Sequence, residues 1–150
     1  MPGIVVGVDG SANARYALEW AVREAAVKNS PVTVVTVNEV AASFWTGNPI
    51  TVPGDEALLE TARKAATELT EKAVAELGES IPASVTVRAV NGFAADELIS
   101  ASRDADLLVV GARGGAHGRG GMGHHSPIGS ISNKVLHHAE CPVVVVPARR

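Results

Sequence analysis

Apolar positions along this chain recur in two alternating rhythms. Ile4 to Val8 is a short, almost wholly apolar run, the pattern of a strand covered on both faces. From Ala14 the period lengthens. Ala14, Ala17, Leu18, Ala21, Val22 and Ala25 fall on one helical face, with Arg15, Glu19, Arg23 and Lys28 largely off it. Asp9-Gly10-Ser11 forms the turn between the two, with Ser11 as the candidate N-cap, and Asn29-Ser30-Pro31 stops the helix. Val32 to Val37, rich in β-branched residues, reads as a second strand, and Asn38 to Gly54 as a long loop. Asp55 is a candidate cap for the next helix, which carries Leu58, Ala62, Ala65, Leu69, Ala73 and Leu77 at three- and four-residue spacing and stops at Gly78. The series is completed by a strand with Val85, Val87 and Ala89 on one side, a helix from Phe93 to Ser102 with Leu98 and Ile99 inward, a strand from Leu107 to Val110, a helix from Ser130 or Ser132 through His138, and a strand from Val143 to Val146.

Strand and helix thus alternate from end to end. That order predicts an α/β fold: a five-stranded parallel sheet with right-handed crossovers and helices on both faces. The chain of 150 residues is long enough for a substantial core, and no repeat or linker divides 1–150, so it reads as one domain. The net charge of −3 argues against a nucleic-acid partner. No apolar run approaches the roughly 18 residues of a membrane span, so no membrane partner is expected. Met1-Pro2-Gly3 leads directly into the first strand without a basic n-region, and Cys141 is the single cysteine, so no intrachain disulfide can form. A cytoplasmic location is the expectation.

Candidate chemistry concentrates in one connection. Gly111 to Gly129 holds eight of the fifteen glycines and runs from the fourth strand to the start of the last helix. Strand, glycine-rich loop and helix start, in that order, can cradle a phosphate, because glycine lets N–H groups approach an anion and a helix N-terminus adds unpaired donors. The same composition also suits a slack surface loop. In open α/β sheets ligands bind beyond the carboxyl ends of the strands, where the strand order reverses. Asp9, Asn38 and Gly111 each follow a strand and would converge there if the first and fourth strands are neighbours. Asp9 could accept from a ligand hydroxyl, hold a phosphate-bound metal, or serve only its own turn. Ser130 and Ser132 could cap the last helix, bind phosphate, or do both.

Other chemistries drop out. The chain has no P-loop motif, no Gly-x-Ser-x-Gly elbow, and no Gly-x-Gly-x-x-Gly in its first turn. Cys141, before Pro142, reads as a small core residue rather than a nucleophile. His117, His124 and His125 in the glycine stretch offer imidazoles to zinc or nickel, though without paired ligand spacing, so they read first as solvated loop residues and no metal site is assigned. Arg113 and Arg119 are the fixed cations of that stretch. Phe44 and Trp45 lie in the earlier loop, where they could tack it to the body or cover a ligand.

Val8-Asp9-Gly10-Ser11, Val109-Val110-Gly111-Ala112-Arg113-Gly114, Gly129-Ser130-Ile131-Ser132 and His137 through Val146 together resemble the bacterial universal stress proteins. The resemblance covers nearly the whole chain. It implies a Rossmann-like sheet in the order 3-2-1-4-5 and a homodimer joined through the last strand, here Pro142 to Val146. It also implies adenine-nucleotide binding, ATP or AMP with Mg2+ as a companion, in a regulatory stress-response module rather than an enzyme, with no catalytic residue. By likeness Asp9, with Gly10 and Ser11 in its turn, would meet the ribose or a phosphate-bound metal. The backbone near Val37 and Asn38 would meet adenine. Val110, Gly111, Gly114, Gly129, Ser130 and Ile131 would line sugar and phosphates, with Ser132 beside them and Arg113 as a further contact. The chain departs from the family's Gly-x2-Gly-x9-Gly-Ser/Thr pattern in one respect: fourteen residues separate Gly114 from Gly129, a local expansion around Gly115 to Arg119. That expansion keeps two further expectations open, a nucleotide-independent dimeric interaction protein and a metal-responsive variant using the loop histidines.

Overall fold

The computed structural model describes residues 3–9, 11–39, 55–112 and 129–147. Within them the elements run β1 (Ile4–Val8), α1 (Ala12–Lys28), β2 (Pro31–Glu39), α2 (Asp55–Ala75), β3 (Ser84–Gly92), α3 (Ala94–Ser102), β4 (Leu107–Gly111), α4 (Ser130–His138) and β5 (Val143–Val146). All strand pairs are parallel and the order is β3-β2-β1-β4-β5. Strands β1 and β4 are therefore neighbours, and the crossovers leave them in opposite directions along the sheet.

Side-chain alternation divides the core in two. Ile4, Val6 and Val8 of β1, Val32 and Val34 of β2 and Val109 of β4 pack with Ala17, Leu18, Ala21 and Val22 of α1 and Ala66 and Ala73 of α2. Val35 of β2 and Leu108 and Val110 of β4 pack with Ala95 and Leu98 of α3 and Val135 of α4. Successive strand residues point to opposite faces, so Val34 and Val35, or Leu108 and Val109, belong to separate layers. The sheet is covered on both sides, as its continuous apolar runs require.

Local signals explain most of the boundaries. Ser11 has extended backbone and its hydroxyl accepts from Ala14 N at 3.3 Å, which caps α1. Asn29 ends α1 in the left-handed region at φ 50°, a conformation open to Asn, and Ser30 N donates to Ala25 O at 2.8 Å to close the helix end. Three expectations are corrected. Asp55 is the first residue of α2 rather than a residue preceding it. Neither Ser130 nor Ser132 caps α4: the N-cap is Gly129, which has no side chain to offer. Strand β2 continues through Asn38 and Glu39, which the polar composition had assigned to loop. Those two residues are held from elsewhere. Asn38 Nδ2 donates to Asn91 Oδ1 on β3 at 3.0 Å, and the Glu39 carboxylate accepts from Ala94 N at 3.3 Å at the start of α3.

The inward face of α2 matches the expected stripe at Leu69, Ala73 and Leu77 and differs from it elsewhere. Ala66, Thr70 and Ala73 are buried, whereas Leu58 is 58% exposed and Ala65 is exposed. Thr70 satisfies its buried hydroxyl by donating to Ala66 O one turn earlier, which lets a polar residue sit on the core side.

Two buried serines fasten α4. Ser102, fully buried at the end of α3, accepts from Glu140 N at 2.9 Å and donates to Ile99 O at 2.6 Å. Ser132 in the first turn of α4 donates to Gly111 O at the end of β4. Surface ion pairs Lys134–Asp96 and Arg103–Glu140 add to the α3–α4 contact, each worth at most about 1 kcal/mol at such exposure.

Candidate functional site

The strand ladders end unevenly, and that opens a crevice. The β1–β2 ladder closes at Val8↔Thr36, but β2 continues with β3 to Glu39↔Gly92. On the other side β1 pairs with β4 as far as Val6↔Val109, while β4 continues beside β5 to Gly111↔Val146. Val37 to Glu39 thus run past the carboxyl end of β1 on one flank, while on the other Gly7 and Val8 are level with Val110 and Gly111 but no longer pair with them. The carboxyl end of β1 lies below that of β2 and parts from β4, with Asp9 just beyond it.

Two depressions meet at this point. The smaller, about 60 Å³, is bounded by Gly7, Val35, Val37, Leu98, Val110 and Ile131, together with Asp9, Gly111 and Ser132. It is mostly apolar and has room for little more than the edge of a planar ring. The larger, about 670 Å³, lies toward α1 and α2 and is bounded by Asp9, Ser11, Arg15, Thr36, Asn38 and the small side chains of α2. That size falls in the range of ordinary ligand sites. Val8, Asp9 and Val37 border both, so the two share one mouth above β1 and β2.

Asp9 is exposed at that mouth, and its Oδ1 accepts from Ser11 N at 2.9 Å. This Asx-type turn fixes the carboxylate in the crevice and leads into the Ser11 cap. The turn role and a ligand role are compatible, since a carboxylate has several acceptor sites. Arg15, one turn into α1, lies 5.1 Å above the Tyr16 ring and 3.5 Å from Glu19.

The opposite wall is built from the two ends of the glycine stretch. Ala112 O accepts from Gly129 N at 2.5 Å, and Gly129 O accepts from Asn133 N at 2.9 Å in α4. The sixteen residues between Ala112 and Gly129 are thus spanned by a direct bond across their base. Lengthening such a loop from eleven residues to sixteen raises its closure entropy by only ~0.3 kcal/mol. The expansion therefore adds little to the cost of closing the loop across this bond.

Of the residues named from sequence, Asp9, Val37, Val110, Gly111, Ile131 and Ser132 border the smaller depression, and Asp9, Ser11, Val37 and Asn38 border the larger. Gly129 and Ser130 form the adjoining helix start. Gly10, Arg113, Gly114, Arg119, His117, His124, His125, Phe44 and Trp45 lie outside the described residues. Among the described residues no cluster of three His, Cys, Asp or Glu side chains could hold a metal ion, and no helix is long and apolar enough to cross a membrane. Cys141 packs against the α3–α4 layer, and burial pushes its thiol above the ordinary range, which disfavours the nucleophilic thiolate.

Sequence reasoning missed Gly7, Leu98 and Arg15. A Cβ on Gly7 would lie 2.8 Å from Leu98 Cδ1, so the glycine lets α3 sit close over β1 and shape the smaller depression. A glycine inside an otherwise apolar strand is a signal of such an approach. Arg15 gave no signal beyond lying off the apolar face of its helix.

Comparison with known proteins agrees with this geometry. The model of the universal stress protein family matches residues 2–147. The chain belongs to that family. A universal stress protein of Mycolicibacterium smegmatis is 40% identical over 146 residues, covering 96% of this chain and 47% of that protein. The chain thus spans about half the length of the curated relatives it matches. Among solved structures, the universal stress protein UspA from Lactobacillus plantarum has a TM-score of 0.73 at 22% identity, covering 97% of each chain. A universal stress protein in complex with cAMP has a TM-score of 0.66 at 22% identity, covering 97% of this chain and 96% of the other. The Archaeoglobus fulgidus protein in complex with dAMP has a TM-score of 0.61 at 22% identity, covering 97% and 98%. These likenesses place the fold among the universal stress proteins.

Proposed function

We propose that this chain binds an adenine nucleotide, ATP or AMP, at the carboxyl ends of β1, β2 and β4 and acts as a regulatory module of the stress response. The observation that carries the reading is the crevice itself. An apolar recess, a carboxylate and an uncapped helix start open on one mouth, and each suits a different part of a nucleotide. Val37 and its neighbours offer an apolar surface to the base, with the overrun of β2 supplying backbone donors and acceptors. Asp9 suits a ribose hydroxyl, or an Mg2+ ion that arrives with the phosphates. Gly111 and the first turn of α4 suit the phosphates, since Gly129 leaves the N–H donors of that turn without a side-chain cap. The cAMP and dAMP complexes of fold relatives support the same ligand class.

Binding is assigned rather than turnover. Among the described residues lining the two depressions, Asp9 and Arg15 are the titratable ones, and Oδ1 of Asp9 already accepts from its own turn. Isothermal calorimetry with ATP, AMP and GTP tests the reading: the adenine nucleotides are expected to bind with micromolar to submillimolar Kd. No heat at millimolar ATP and AMP would overturn it.

The partner is proposed to be a second copy. Among the described residues strand β5 has β4 as its one neighbour in the sheet, and its four valines are all only half-buried. An apolar edge of this kind is a template for another strand. Light scattering is expected to give the mass of two chains at micromolar concentration; a monomer there would rule out the pairing.

A further inference from the structure

The peptide that joins Gly111 to Ala112 is held at both ends. Its N–H donates to Val146 O on β5 at 2.8 Å, and its C=O accepts from Ser132 Oγ on α4 at 2.5 Å. The next carbonyl, of Ala112, accepts from Gly129 N. Two of these three bonds are backbone to backbone and survive any side-chain change. The third depends on one hydroxyl. Ser132 is 5% exposed, and its bond to Gly111 O is a side-chain link between β4 and the first turn of α4. Gly111 has no Cβ to restrict its peptide planes, so an external bond has to fix them.

We propose that Ser132 is a positioning residue for the phosphate end of the site. Its hydroxyl sets the orientation of the Gly111–Ala112 peptide relative to the N-terminus of α4. Both polar groups of that peptide are engaged, so an anion there draws on the N–H donors at the start of α4, and it gains from them fully only while the tie to Gly111 holds that helix start in place, because charge-assisted hydrogen bonds weaken steeply with distance and angle. The proposal deepens the nucleotide reading and rests on it. Ser132 acts through Gly111 and need not touch the ligand with its side chain.

The two ideas fail differently. In the unmodified chain, ATP and adenosine are titrated by calorimetry or by competition; if neither binds, the nucleotide reading falls and this proposal with it. Given binding, Ser132→Ala is expected to weaken ATP about tenfold while adenosine changes less than twofold, the loss expected from one buried hydrogen bond. Ser132→Thr keeps the hydroxyl and is expected to keep the ratio of ATP to adenosine affinity close to that of the unmodified chain. Equal losses for both ligands, or unchanged ATP affinity in Ser132→Ala, would overturn the positioning role. So would a Thr variant whose ratio matches that of the Ala variant.

Discussion

Gly129→Val is expected to bind ATP at least ~100-fold more weakly than the unmodified chain, a loss of ~2.7 kcal/mol, while folding normally. The separation of the two effects follows from the backbone. Gly129 sits at φ −68° and ψ 164°, a region open to every residue, so conformation does not demand glycine there. Valine is a poorer N-cap than glycine, which costs α4 about 1 kcal/mol or less. The consequence for an anion is larger. A branched side chain at the N-cap stands beside the N–H groups of Ser130 and Ile131 and keeps a phosphate from approaching them. Calorimetry with ATP and a thermal melt of the unliganded chain check both halves. A variant that binds ATP normally would show that the phosphates do not use this helix end. A variant that fails to fold would show that Gly129 is required for structure rather than for approach.

Leu108→Ala is expected to lower stability by about 3 kcal/mol, near the middle of the range for a fully buried leucine. For a chain of this length that corresponds to a fall in Tm of roughly 6–12 °C. Leu108 is 0% exposed and packs between β4 and the helices α3 and α4, in register with Val5 on β1 and Val143 on β5. A cavity there has rigid strands on both sides and little freedom to collapse. Leu58→Ala on α2 supplies the contrast. Leucine 58 shares the apolar period of its helix but is more than half exposed, so its loss is expected to stay within ~0.5 kcal/mol. Chemical denaturation of the two variants is the measurement. Equal losses would mean that the face of α2 is misassigned.

The same contrast shows where periodicity stops being informative. Of the expected stripe, Leu69, Ala73 and Leu77 do face the core, yet Leu58 and Ala65 are exposed and the core side also takes in Ala66 and Thr70. In an alanine-rich helix the apolar arc is broad, and the angle at which it docks is chosen by the sheet it meets. Strand β2 shows a related limit. Asn38 and Glu39 carry no strand signal, and they extend the strand because Asn91 and the start of α3 receive their side chains. Those partners are 53 and 55 residues away in the chain, beyond the reach of any local pattern.

What the sequence by itself determined is the alternation of five strands and four helices, the cap at Ser11, the stop at Asn29-Ser30-Pro31, and the parallel α/β class. These depend on period, β-branching and turn chemistry, all of them local. The residue types of the crevice were legible as well, since Asp9 and Gly111 each follow a buried strand. Tertiary structure decided how they meet. It let β2 run past the end of β1, parted the ends of β1 and β4, and closed the base of the glycine stretch with the bond from Gly129 N to Ala112 O. It also turned Ser132 from a candidate cap into the tie on Gly111. Each of these depends on hydrogen bonds or packing between residues far apart in the chain, and such partners are chosen only when the sheet has formed.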